Sequence, residues 1–270
     1  MRWLISTNGE SRFDQAATFA ASLVNPVEDE VILLGFQEEV ENPALSASLQ
    51  KLTESFGKTR IKQILQSGNP VDLIEEINKK EKVDIVVYGS RGRHGFSRLI
   101  LGSVAAYLEH RLKCSLLVIR DKPVPVQKIL VSVTRSPASQ NPVKVAGKIA
   151  QNTGANVTLL HVMSQLPLTD KARTGPLHMT AEEAIAQHTL EGDHLQQALE
   201  TLQKMGVQAN AVLRHGLVLD EVIAELKEGN YHMLIIGAHR IPENLPLANL
   251  LMEDMADMIL MHTQCPVLIA

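Results

Sequence analysis

The chain repeats itself, and this restricts its fold more than any other feature. Trp3-Leu4-Ile5-Ser6-Thr7-Asn8 recurs as Ile129-Leu130-Val131-Ser132-Val133-Thr134. Gly68-Asn69-Pro70-Val71-Asp72-Leu73-Ile74 recurs as Gly216-Leu217-Val218-Leu219-Asp220-Glu221-Val222. Ile85-Val86-Val87-Tyr88-Gly89 recurs as Met233-Leu234-Ile235-Ile236-Gly237, and Cys114-Ser115-Leu116-Leu117-Val118-Ile119 as Cys265-Pro266-Val267-Leu268-Ile269. The matches keep their order and a nearly constant offset, which marks two copies of one unit. A length of 270 residues accommodates two domains. We place them at 1–122 and 127–270, joined by Asp121-Lys122-Pro123-Val124-Pro125-Val126. The prolines there favour an extended, semi-rigid joint.

Each copy alternates short apolar runs with helical patterns. In the first, strands are expected near 2–7, 30–36, 59–66, 83–88 and 114–120, and helices near 11–24, 43–56, 70–81 and 102–112. Val31-Ile32-Leu33-Leu34 and Leu116-Leu117-Val118-Ile119 are apolar throughout, as strands covered on both faces must be. The alternation predicts an α/β class: tandem open parallel sheets with helices on both faces. Ligands of such sheets bind beyond the strand C-termini, where strand order reverses. Placing the first strand beside the fourth brings Thr7-Asn8 next to Gly89 and Gly92.

Gly89-Ser90-Arg91-Gly92, followed by Gly102-Ser103, lies between the fourth strand and a helix. Glycines let a backbone turn tightly and approach a ligand. The N–H groups of the next helix then face an anion with the positive end of the helix dipole. This predicts a phosphate site. Arg91, Arg93, His94 and Arg98 form the one local basic patch, and guanidinium forks suit phosphate oxygens. Ser103 reads as a helix cap rather than a nucleophile.

Gly89-x-x-Gly92-x9-Gly102-Ser103, the early strand ending in Ser6-Thr7-Asn8 and the closing Cys114-Ser115-Leu116-Leu117-Val118-Ile119 resemble the universal stress protein family, in its tandem two-domain branch. The resemblance implies five-stranded parallel sheets of order 3-2-1-4-5 and a bound adenine nucleotide: ATP, with ADP, AMP or cyclic AMP sharing its chemistry. It places Ser6, Thr7 and Asn8 near adenine and ribose, Phe36 against the base with Tyr88 and Gly89 below it, and Gly92, Gly102, Ser103 and Val104 at the phosphates, where the guanidinium of Arg93 is expected to join them. The family usually has aspartate where Asn8 stands. Asparagine keeps an acceptor for a ribose hydroxyl but removes the charge, so altered or weakened binding is expected. The family also pairs its last strands between domains. The apolar edges at Leu116-Leu117-Val118-Ile119 and Val267-Leu268-Ile269 would then form a pseudo-dimer within one chain, with a further homodimer open.

The second copy departs from the motif. Gly237 remains, but Arg240 stands at the position of Gly92, Pro242 and Pro246 interrupt the loop, and Glu253-Asp254 align with Gly102-Ser103. Carboxylates aimed at a phosphate pocket repel its ligand. This copy is expected not to hold ATP in the standard way.

Composition narrows the remaining classes. A net charge of −4 gives no bulk field for nucleic acid, and no apolar run approaches the ~20 residues of a membrane span. Hydrophobic content of 45% with 21% charged residues is globular. With no secretory leader and two isolated cysteines, Cys114 and Cys265, a reduced cytoplasmic setting is expected. The many histidines of the second half show no zinc-type pairing. Residues 180–205 read as one long amphipathic helix. Three functions remain, the last of them an interaction module for a separate partner in which the nucleotide is only structural. The first is a non-enzymatic nucleotide sensor acting on an unidentified protein partner. The second is a slow ATP-hydrolysing enzyme, with Mg²⁺ on the nucleotide, for which Glu10 and Asp14 are the nearest bases and lack motif support.

Overall fold

In a computed structural model, which describes residues 1–37, 43–89, 105, 107–109, 111–120, 123–134, 140–163, 179–238 and 255–270, the chain forms two compact units. Unit one is Met1–Pro125 with Gln264–Ala270, and unit two is Val126–Thr263.

Unit one runs β1 (Arg2–Thr7), α1 (Ser11–Leu23), β2 (Glu30–Gln37), α2 (Pro43–Ser55), β3 (Arg60–Ser67), α3 (Pro70–Glu81), β4 (Ile85–Gly89) and β5 (Ser115–Ile119). These strands pair in parallel in the order β3-β2-β1-β4-β5, with Thr7 beside Gly35, Ile5 beside Val87 and Gly89 beside Ile119. Strand order therefore reverses between β1 and β4, where the crevice was expected. Leu4, Leu33, Leu34, Val86 and Leu117 are fully buried. Each contributes roughly 1.5–3 kcal/mol of apolar burial. The Asn69-Pro70 pair starts α3: Asn69 Oδ1 accepts from the Val71 amide at 2.9 Å, and proline occupies the first turn.

Unit two runs β6 (Lys128–Ser132), α4 (Gln140–Thr153), β7 (Asn156–Met163), α5 (Ala181–Ala186), α6 (Leu190–Lys204), β8 (Ala209–His215), α7 (Val218–Gly229), β9 (Met233–Ile236) and α8 (Met255–His262). Its strands pair in parallel as β8-β7-β6-β9, repeating the order of β3-β2-β1-β4. The last strand, β10 (Val267–Ile269), belongs to unit one, where it lies antiparallel to β5 with Leu268 beside Leu117. That pairing covers the apolar edge of β5.

The expected single helix over 180–205 is two helices. His188 takes a left-handed φ of 52°, and Thr189 caps α6 by accepting from the Gly192 amide at 3.0 Å. Thr180 and Glu183 form a reciprocal capping box on α5. Among the described residues, no helix is long and apolar enough to cross a membrane.

β8 is anchored to α7 by charge. Arg214 Nε donates to Glu225 Oε2 at 2.7 Å, and the Tyr231 hydroxyl donates to Glu225 Oε1 at 2.7 Å. Burial, helped by the bond to Glu225, pushes the Tyr231 phenol up to about 12. The unfolded phenol ionises near pH ~10. Tyr231 thus stabilises the fold fully below that pH, and the contribution is lost as pH rises through about 12. In alkaline urea titrations, Tyr231→Phe is expected to flatten the fall in stability across this window.

Candidate functional site

The site is assembled from the C-terminal ends of β1, β2 and β4 and the first turn of α1. Thr7 is fully buried, and its Oγ1 donates to Asp14 Oδ1 at 2.8 Å while accepting from the Gly9 amide at 3.0 Å. The Ser48 hydroxyl of α2 donates to the same Asp14 oxygen. One carboxylate therefore ties together β1, α1 and α2. Asn8 Oδ1 accepts from the Glu10 amide at 3.0 Å and closes the turn. Gly9 has φ +83°, and a Cβ there would stand 2.9 Å from the Leu45 amide nitrogen, so only glycine fits.

Replacing Asp14 by alanine would leave the Thr7 and Ser48 hydroxyls buried without this acceptor. We expect Asp14→Ala to cost about 2–4 kcal/mol, read as a lower urea midpoint with an unchanged slope.

Phe36 lies inside β2 and is 6% exposed. Its ring meets Phe13 of α1 edge-on, centroids 5.3 Å apart at 90°. Phe13 also approaches Tyr88 of β4, at 6.5 Å and 75°, and the Arg12 guanidinium lies 4.5 Å over the Phe13 ring. Phe13 thus joins the two strands that flank β1. Sequence reasoning missed it. The available signal was its position on the helical face carrying Ala16, Ala17 and Ala20.

Gly89 has a packing role. A Cβ there would stand 2.9 Å from Ala16 Cβ and 3.1 Å from the Arg12 carbonyl oxygen, so glycine lets α1 rest on β4. Ser6 is 4% exposed, and its Oγ is buried without a hydrogen-bond partner in the protein. Alternation along β1 turns Ser6 to the face opposite Thr7. Gly92, Arg93, Gly102, Ser103 and Val104 lie outside the described residues, as do Arg91, His94 and Arg98, and Arg240, Pro242, Pro246, Glu253 and Asp254 in the second copy.

The structure brings Ser6, Thr7, Asn8, Phe36, Tyr88 and Gly89 to one end of the sheet. Their capacities differ. Thr7 and Phe36 are engaged internally, whereas the Ser6 hydroxyl has unused hydrogen-bonding capacity. Both nearby carboxylates are engaged: Asp14 accepts from two hydroxyls, and Glu10 pairs with Arg12 at 2.9 Å while accepting from Asn8 at 2.9 Å.

Comparison with known proteins agrees with this architecture. The model of the universal stress protein family matches residues 7–120 and 125–270. A universal stress protein of Mycobacterium tuberculosis is 30% identical over 145 residues, covering 50% of this chain and 48% of the relative. Universal stress protein E of Escherichia coli K12 is 30% identical over 101 residues, covering 36% and 32%. The chain spans about half or less of the length of these curated relatives. A universal stress protein structure from Archaeoglobus fulgidus has a TM-score of 0.67 at 16% identity, covering 100% of this chain and 97% of its own. One from Pseudomonas aeruginosa reaches 0.66 at 15%, covering 99% and 92%. At these identities the structures attest the fold alone. With both copies matched by the family's model, the chain belongs to the universal stress protein family as a tandem member.

Proposed function

We propose that unit one binds an adenine nucleotide, ATP foremost, and that occupancy rather than turnover is its output, read by a protein partner in the cytoplasm. The observation that carries this reading is the buried Ser6 hydroxyl, without a partner in the protein, at the end of the central strand. A nucleotide sugar or base supplies the missing hydrogen bond. Ser6 and Asn8 would hold the nucleoside end, and the half-buried Tyr88 would flank it. Gly92, Arg93, Gly102, Ser103 and Val104 would receive the phosphates through backbone amides and one guanidinium, with Mg²⁺ accompanying the triphosphate. Phe36 would act at one remove, by setting the ring of Phe13.

Hydrolysis needs a positioned water and charge stabilisation at the transferred group. The engagement of Asp14 and Glu10 favours binding over turnover. Calorimetry on the whole chain is expected to give one ATP per chain. Ser6→Ala should weaken it about three- to tenfold, the worth of one neutral hydrogen bond. A steady-state assay is expected to show no phosphate release. Two equal sites, or turnover that Gly92→Arg removes, would overturn the proposal.

A further inference from the structure

The geometry points to a second ligand site, inside unit two, for a small organic phosphate monoester. A cavity of about 270 Å³ opens beyond the C-terminal end of β6, between α4 and α6. Val133, Val143 and Ala198 give it apolar walls, while Lys144, Lys204 and His194 bring cationic or protonatable groups to it. Its volume falls just below the roughly 300–1,000 Å³ usual for drug-sized ligands, which suits a compact molecule.

The cavity arises from how the second copy differs from the first. The buried positions Phe13, Ala16, Ala17 and Ala20 of α1 recur at constant spacing as Val143, Ala146, Gly147 and Ala150 of α4. Strand pairing likewise sets Val133 where Thr7 stands, since Ile5 lies beside Val87 as Val131 lies beside Ile235. Three changes follow. The Phe13 ring becomes the smaller Val143. The Thr7 hydroxyl becomes the aliphatic Val133. The Asp14 carboxylate, which knots β1, α1 and α2 together, becomes the Lys144 ammonium. In unit one this region is closed by internal hydrogen bonds. In unit two it is open, and its sign is reversed.

No carboxylate is ion-paired with Lys144 or Lys204 among the described residues. The one carboxylate on the lining, Glu200, accepts from Gln196 at 3.0 Å. Two exposed lysines, Lys144 and Lys204, share one lining with valine and alanine, and this combination suits a ligand that is dianionic at one end and apolar at the other. Lys144 and Lys204 take the phosphate, and Val133, Val143 and Ala198 take the organic body. Glycine at 147 keeps the two helices close, because a Cβ there would meet Met205 Sδ at 2.6 Å and Leu202 Cδ2 at 3.2 Å. The cavity walls are thereby held by helix packing.

The test is amide NMR on the full chain, with phenyl phosphate and inorganic phosphate as probes. Phenyl phosphate is expected to shift Val143, Lys144, Ala198 and Thr201 and to bind at least about tenfold tighter than inorganic phosphate. Lys144→Gln and Lys204→Gln should each weaken it about tenfold, as loss of a charge-assisted hydrogen bond does. Gly102→Glu in unit one should leave it unchanged, so this inference and the ATP proposal fail separately. The assignment is overturned by the absence of shifts up to about 10 mM probe, by equal binding of inorganic phosphate, by undiminished affinity in both lysine variants, or by loss of the shifts in Gly102→Glu.

Discussion

Gly102→Glu is expected to weaken ATP binding to this chain by at least about a hundredfold. By its sequence context the glycine is expected at the start of the helix proposed to receive the phosphates. The substitution places a carboxylate where bare amides would meet a polyanion. At ~4 Å two like unit charges repel by about 1 kcal/mol in bulk water and about 4 kcal/mol near a protein surface. A triphosphate multiplies this. The second copy already carries Glu253-Asp254 at the aligned position, so the variant turns one copy into the other. Calorimetry with ATP measures the loss, and an unchanged urea midpoint separates it from unfolding. Gly102→Ala, which adds volume without charge, should fall well short of it. Equal damage from both would mean that crowding rather than charge closes the site.

Gly192→Ala is expected to produce a large loss of stability, of the same order as that of Asp14→Ala. A Cβ at this position would lie 2.1 Å from the Ala184 carbonyl oxygen and 2.3 Å from its carbon. Both are backbone atoms at the end of α5, so no rotamer change relieves the clash. The first turn of α6 must move away, and with it the Thr189 cap that accepts from the Gly192 amide. Overpacking of this kind costs typically about 1–3 kcal/mol, and loss of the cap adds about 1 kcal/mol. Urea unfolding followed by near-ultraviolet circular dichroism reads the sum. A variant as stable as the parent would show that α5 and α6 do not meet at this glycine.

The same junction marks a limit of the sequence. Apolar residues at Ala184, Leu195, Leu199 and Leu202 continue the helical stripe across the break, so periodicity alone joins α5 to α6. The signals of the break are local ones: Thr189 as a cap and Gly192 three residues later. By contrast, the edges of β1, β2 and α3 were legible. Continuous apolar runs ended in Thr7-Asn8-Gly9, and Asn69-Pro70 started a helix through its own chemistry. The reversal of strand order was legible for a topological reason, since repeated strand-helix alternation sets the first strand beside the fourth. The lining of the site was less so. Phe36 looked open to a ligand, and only the packing of α1 shows that Phe13 covers it. Asp14 looked like an unsupported acid, and only the meeting of α1 with α2 shows that Ser48 and Thr7 share its oxygen. Glycine at 89 read as a phosphate-loop residue, yet the contact with Ala16 gives it a packing reason of its own.

Native mass spectrometry of the freshly purified whole chain, before and after addition of ATP, tests the central claim most directly. The account predicts a mass increment of one adenine nucleotide per chain, absent from Gly102→Glu. A parent chain that carries none and takes up none, or that fills two equivalent sites, would contradict it.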